Sequence, residues 1–231
     1  MTGESVVLVI DTATETVVTG VVRLSATGEA TTLAERTVHD HRRHAEILTT
    51  LIGEVLAEAS LVGADLDAVV AGTGPGPFTG LRVGLATAAA YGDALGLPVH
   101  GVCSLDAIAS VAGEQSALVV TDARRREVYW ARYAGGERVA GPDVAAPAVV
   151  AETLDDAPVD TVVGPPRFTE QIAAGRAEEV GVVHPSARAL AAAASPELGT
   201  TPGPLEPLYL RRPDAVELKD QRRKSLLPVN P

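Results

Sequence analysis

Four groups of residues could carry chemistry. The run Gly72-Thr73-Gly74-Pro75-Gly76-Pro77-Phe78-Thr79-Gly80-Leu81-Arg82-Val83-Gly84 has the glycine content of a phosphate cradle, and a helix N-terminus beside it would attract anions. A Walker A loop, however, needs Lys followed by Ser or Thr, and here Leu81 and Arg82 follow Gly80. Pro75 and Pro77 also remove two N–H donors while fixing their own φ angles. The run therefore reads as a rigid strand-to-helix bend with Thr79 as the helix N-cap. Arg82 then falls in the first helical turn, where its charge opposes the helix dipole; an anion, a partner's carboxylate or solvent would relieve that. Arg82 is accordingly a candidate anion or partner contact.

Asp11 and Asp122 form the second group. Each closes an apolar strand, where a carboxylate could hold a magnesium-bound water or a phosphate, but an Asp there also hydrogen-bonds its own turn. Gly164 could touch a nucleotide, although Pro165 and Pro166 after it supply no donors. The third group, His39, His41 and His44, has poor spacing for a metal, with Asp40 and Arg43 among them, and reads as a polar helix entry. The fourth is Cys103, whose sole neighbouring histidine in sequence is His100; no serine lies in a G-x-S-x-G elbow. These groups yield no self-sufficient catalytic set, and the expectation is no catalytic residue, no metal and no cofactor.

The elements that must position these residues follow from periodicity. Residues 5–10, 16–24 and 31–38 are β-prone runs with short links, which predict an antiparallel meander rather than the start of a dinucleotide-binding unit. Ile47, Leu48, Leu51, Ile52, Val55 and Leu56 fall at helical spacing. After a strand at 69–71 and the glycine–proline run comes an alanine-rich helix to Leu95, in which Gly84, Ala88 and Gly92 would permit close helix approach. A strand at 98–102 leads to a helix at 105–111 with Ser104 as N-cap. Strands at 117–121 and 127–133, joined across Arg124-Arg125-Arg126, repeat the opening, and Gly135-Gly136 makes a hairpin turn. A loop at 141–147, a helix at 149–154, a strand at 159–163 and helices at 168–174 and 186–194 follow, the last capped by Ser186. The division expected is a first lobe over 1–103, a second over 104–213, and a mobile tail over 214–231. Lys219, Arg222, Arg223 and Lys224 make that tail a candidate RNA or partner contact, and Tyr209 is expected to anchor the segment before it onto a lobe.

Composition narrows the functions. With 46% apolar residues but only 3% aromatic, the core must be Val, Ala and Leu, and stacking platforms for nucleic acid are few. A formal net charge of -11 opposes nonspecific attachment to nucleic acid or an anionic membrane. One cysteine excludes an internal disulfide, and without a basic–apolar leader or a long uncharged apolar run the chain is expected in the cytoplasm, with no membrane association.

Several segments together resemble the TsaB (YeaZ) family of bacterial proteins for threonylcarbamoyladenosine formation in tRNA. They are 10–14, 44–48 and 74–84, then 101–107 (Gly101-Val102-Cys103-Ser104-Leu105-Asp106-Ala107), 122–124 with 127–129, and 207–211. The resemblance implies an α/β, two-lobed actin/Hsp70-like fold (ASKHA, ribonuclease H-like lobes) with mixed sheets flanked by helices. It implies a noncatalytic partner of a TsaD-like transferase, because the family's catalytic subunit carries a metal-binding histidine pair where this chain has Ser104 and Ile108. The implied reaction is transfer of a threonylcarbamoyl group to N6 of adenosine 37 in tRNAs reading codons that begin with A. A TsaE-like ATPase would act through the complex, a homodimer would form in the partner's absence, and contact with tRNA would be indirect. The partner contact is expected on the first-lobe helices, through Leu48, Leu51, Ile52, Val55, Gly84, Ala88 and Gly92. Two other classes stay open: an ATP-binding enzyme of the actin/Hsp70-like superfamily, using Asp11, Asp122 and Gly164, and, more weakly, a peptidase.

Overall fold

Alternation of Val, Leu and Ile along the first strand dictates a sheet covered on both faces, and the computed structural model, which describes residues 3–39, 44–182 and 184–211, has this arrangement. In β1 (Ser5–Asp11), Val7 and Val9 point to one face while Leu8 and Ile10 point to the other. β1 pairs antiparallel with β2 (Thr16–Leu24), which pairs antiparallel with β3 (Ala30–His39); this is the predicted meander. After α1 (His44–Glu58), β4 (Ala68–Gly74) lies parallel to β1. After α2 (Phe78–Leu95), β5 (Val99–Cys103) lies parallel to β4, giving the order β3-β2-β1-β4-β5. α1 and α2 cover the Leu8 face.

The second half repeats this plan. β6 (Ala117–Asp122) and β7 (Val128–Ala134) form an antiparallel hairpin that extends through Gly135-Gly136 to β8 (Glu137–Ala145). α4 (Pro147–Asp156) leads to β9 (Thr161–Gly164), parallel to β6; α5 (Pro166–Ala173) leads to β10 (Glu178–Gly181), parallel to β9. The order β10-β9-β6-β7-β8 is the first sheet's order once more, so two lobes of one topology are observed, as the repeated openings suggested. The helices then cross over. α3 (Ser104–Ala109), the link between the lobes, covers one face of the second sheet, and α4 and α5 cover the other. α6 (Ala187–Ala194), expected in the second lobe, instead packs on the first sheet: Ala187, Leu190, Ala191 and Ala194 cluster with Val7, Val9, Val18 and Val22. Its alanines let it lie close to the Val face that the first-lobe helices leave open.

Several local expectations change. The N-cap of α2 is Pro77, in extended conformation with its carbonyl accepting from Leu81 N, so Thr79 lies inside the helix and caps nothing. Cys103, rather than Ser104, is the N-cap of α3, because the Ser104 hydroxyl is engaged elsewhere. Ser186 does cap α6, accepting from Ala189 N at 3.1 Å. Most of the loop expected at 141–147 belongs to β8, whose register against β7 shifts near the Gly141-Pro142 pair that suggested a break. β10, with two glutamates in four residues, carries no apolar alternation that would reveal an edge strand. The Asp40–Arg43 charge cluster, His41 and the 214–231 tail lie outside the described residues.

Candidate functional site

The glycine–proline run is occupied by the chain itself. Asp11 ends β1 completely buried; its Oδ1 accepts from Ala13 N at 2.9 Å and its Oδ2 from Ser104 Oγ at 2.5 Å. A Cβ on Gly72 would stand 1.7 Å from Asp11 Oδ2, and one on Gly84 would stand 2.3 Å from Thr12 Oγ1. Thr12 Oγ1 donates to Gly80 O at 2.7 Å and accepts from Gly84 N at 3.1 Å. The glycines are therefore needed for close approach to Asp11 and Thr12, not to a phosphate. Burial pushes the Asp11 carboxyl up from its ordinary range, partly offset by the Ser104 and Ala13 hydrogen bonds and by nearby His184.

Asp122 is different. It sits at the rim of the interlobe cleft, where Oδ1 accepts from Arg124 N at 2.7 Å and Oδ2 pairs with Arg167. Across the cleft, Arg124 reaches Glu15 at 3.2 Å, so one ion pair ties the β1–β2 turn to the β6–β7 turn. The cavity between them, bounded by Glu15, Pro77, Asp122, Arg124, Pro165 and Arg167, holds ≈ 220 Å³. That is below the roughly 300–1,000 Å³ usual for ligand pockets, whereas a second pocket that shares Asp122, Arg124 and Arg167 and reaches Phe168 holds ≈ 560 Å³. Gly164, the third member of the nucleotide set, is explained by packing: a Cβ there would lie 2.5 Å from Val120 O. The structure thus does not bring Asp11, Asp122 and Gly164 together as one open site.

The remaining candidates have local explanations. His39 faces Glu15 at 4.0 Å, and the described residues contain no group of three side chains able to share a metal. His100 is buried with both ring nitrogens lacking a hydrogen-bond partner, and burial lowers its pKa, which keeps the ring neutral. Burial, then the charge of Asp106, pushes the Cys103 thiol up to about 11, which disfavours a thiolate nucleophile. Ser104 and Ile108 are both buried, the first bonded to Asp11 and the second inside the second-lobe core.

Arg82 is exposed and finds intramolecular company that sequence did not reveal. Its guanidinium lies 3.9 Å from the Phe78 ring centroid, and its Nε donates to Tyr209 Oη at 3.2 Å. Tyr209 stacks near Phe78 at 4.9 Å, so the expected anchor role is served here, with Leu208 N donating to Thr73 O at 2.9 Å beside it. A Tyr 127 residues from Arg82 leaves no local signal of the pairing.

The expected interface residues need a correction. Leu48, Leu51, Ile52 and Val55 point into the first-lobe core, as do Ala88 and the glycines Gly84 and Gly92, whose added Cβ atoms would strike Thr12 and Val99. Apolar periodicity marks the face of a helix that is buried, and here the chain's own sheet buries it. A charge at Leu48 or Ala88 would unfold the lobe rather than sever a partner. The surfaces left outward include Thr49, Thr50, Gly53, Glu54, Ala57 and Glu58 on α1 and Arg82, Ala86, Ala89, Ala90, Asp93 and Leu95 on α2.

A second feature hidden from sequence is the backbone conformation of the β6–β7 turn. Arg124, Arg125 and Arg126 all adopt the left-handed conformation (φ 63°, 52° and 65°), closed by Glu127 N donating to Arg124 O at 3.0 Å. For residues with a Cβ this costs roughly 1–2 kcal/mol each.

Comparison with known proteins fits this architecture. A family model described as TsaD, tRNA N6-adenosine threonylcarbamoyltransferase, matches residues 31–174, more than half of the chain. The tRNA threonylcarbamoyladenosine biosynthesis protein TsaB of Escherichia coli is 38% identical over 98 residues, 40% of this chain and 42% of that one. The solved structure of YeaZ from Pseudomonas aeruginosa superposes with a TM-score of 0.69 at 27% identity, covering 89% of this chain and all of that one. The chain belongs to the TsaB/YeaZ family. A Mycobacterium leprae relative of this TsaB/YeaZ chain is 52% identical over 211 residues, 91% of this chain. The match spans only about half of that relative's own length, 56%. The two-lobed actin/Hsp70-like fold expected from the TsaB/YeaZ resemblance is the one observed. No helix among the described residues is long and apolar enough to cross a membrane.

Proposed function

We propose that this chain is the noncatalytic partner of a TsaD-type transferase, required for forming N6-threonylcarbamoyladenosine at position 37 of tRNAs that read codons beginning with A. Membership of the TsaB/YeaZ family supports the pathway. The observation that carries the noncatalytic role is the state of Ser104 and Ile108. At the positions where the resemblance gives the transferase its histidine pair, this chain has a hydroxyl bonded to buried Asp11 and an alkyl side chain in the core. Neither can ligate a metal as imidazole does. The buried Asp11 weighs against the ATP-using reading and the high thiol pKa against the peptidase reading.

The partner would dock on the outward faces of α1 and α2 in the first lobe, with a TsaE-like ATPase joining through the complex. The same faces would pair two copies when the partner is absent. Gly53 supports this assignment: it is exposed in mid-helix, an added Cβ there would meet nothing within 4 Å, and the chain's own packing does not require it. A mid-helix glycine costs about 1 kcal/mol relative to alanine, which close approach of a partner helix would justify. The complex would act in the cytoplasm. The test is reconstituted tRNA modification by the TsaD-like protein of the same cell, its ATPase and the threonylcarbamoyl adenylate, with and without this chain. Product only in its presence supports the reading; full activity without it, or product from this chain alone, contradicts it.

A further inference from the structure

Thr121 stands apart from the other buried threonines. Thr12, Thr19, Thr73, Thr161 and Thr169 each donate a hydroxyl to an oxygen of the chain. Thr121, 4% exposed near the end of β6, has a buried Oγ1 with no hydrogen-bond partner. Its neighbours are engaged elsewhere. Tyr129, opposite it on β7, donates to Gly76 O at 3.4 Å, and Asp122 holds Arg124 N and Arg167. A buried hydroxyl left unpaired is costly, so its place in the fold matters.

That place is the wall of the interlobe cavity. Pro77 and Pro165, the N-caps of α2 and α5, make it rigid there. Two ion pairs border it: Glu15 of the first lobe with Arg124 of the second at 3.2 Å, and Asp122 with Arg167. His39 lines the same rim, 4.0 Å from Glu15. The cavity of ≈ 220 Å³ shares Asp122, Arg124 and Arg167 with the ≈ 560 Å³ pocket that reaches Phe168, which gives a bound molecule room to extend.

The charges select the ligand. Both guanidiniums are already matched by carboxylates, so a polyanion such as a nucleoside triphosphate would have to displace Glu15 and Asp122. A metal ion would find no group of three acid, histidine or cysteine ligands among the described residues. A small molecule with one charge of each sign leaves every charge paired: its carboxylate meets a forked guanidinium and its ammonium a carboxylate.

We propose that the interlobe cavity binds a free α-amino acid, with its carboxylate on Arg124 and Arg167, its ammonium on Glu15 and Asp122, and a hydrogen bond to the Thr121 hydroxyl. Its side chain points toward Phe168. Residues of both lobes hold the ligand, so it bridges them. This site is independent of the function proposed above.

The test uses the full-length chain alone. L-α-amino acids are titrated singly, with binding read by ligand-observed NMR and by the rise in melting temperature. At least one is expected to bind with a dissociation constant of about 1 mM or tighter, and its amine and its deaminated acid, each lacking one charge, roughly tenfold more weakly. Thr121→Val keeps the side chain's shape and removes the orphan hydroxyl. Without ligand it is expected to melt no lower than wild type, and its affinity for the amino acid to fall about tenfold. Arg167→Gln is expected to lose about as much. Absence of binding by every amino acid, with or without binding of ATP, would overturn the proposal. So would wild-type affinity in either variant, equal affinity for the singly charged analogues, or a lower melting temperature in Thr121→Val, which would mean that the hydroxyl has a partner within the chain. Binding is read without the modification reaction, so failure here leaves the functional reading to its own assay.

Discussion

The two lobes share one topology but treat their first aspartate in opposite ways. The glycine at the end of the parallel neighbour strand gives a common ruler: Gly72 faces Asp11, while Gly164 faces Val120. Measured so, Asp11 occupies the place of Val120, and Asp122 stands two residues further out. Asp11 is sealed beneath the glycine–proline run and bonded to Ser104 on the linking helix; Asp122 is at the cleft rim, holding Arg167 and the start of the arginine turn. A repeated "strand, Asp" pattern in sequence therefore does not mean a repeated site. In the first lobe the carboxyl fastens the joint between lobes, and in the second it fastens the cleft rim.

The largest expected effect attacks the first of these. Gly72→Ala would drive a methyl group into the Asp11 carboxyl, and we expect a loss of about 3 kcal/mol or more in urea unfolding. Unchanged stability would mean that Asp11 is not held as described. Next, Asp11→Ala leaves Ser104 Oγ and Ala13 N without their partner and is expected to cost about 1–3 kcal/mol. Asp122→Ala, at the half-exposed rim, is expected to cost about 1 kcal/mol or less. Equal costs would erase the contrast.

Legibility in the sequence followed the same divide. The meander, the β6–β7 hairpin, the Ser186 cap and the duplicated plan were readable because period-2 apolar runs and turn residues are local signals. The glycine–proline run was rightly read as a joint, but its purpose, room for Asp11 and Thr12, depends on contacts more than sixty residues apart. Arg82 against Tyr209 and Arg211 against Glu127 were illegible for the same reason. The interface residues failed differently: periodicity located the buried face of α1 correctly, and that face meets the chain's own sheet, not a partner.

A smaller effect sharpens the comparison through pH. Burial lets folded Asp11 keep its proton to higher pH than it does in the unfolded chain. The folded state then binds more protons than the unfolded one above about pH 4, so wild-type stability falls as pH rises from there, and levels once the folded carboxyl ionises. Asp11→Asn lacks this term, so its stability relative to wild type should improve from pH 4 to pH 7 in parallel unfolding curves. A constant difference would contradict a buried carboxyl that resists ionisation. The smallest effect concerns the surface: Gly53→Ala, facing open space, should raise stability by up to about 1 kcal/mol, whereas a loss would reveal an internal role for that glycine.

If function with the partner resides on the outer faces of α1 and α2, a large side chain at Gly53 must break it without harming the fold. The decisive measurement is threonylcarbamoylation of tRNA by the reconstituted TsaD-type system supplied with Gly53→Arg chain, alongside its melting temperature. We predict a melting temperature no lower than wild type and at least a tenfold loss of product; a folded Gly53→Arg chain that supports full modification would contradict the account.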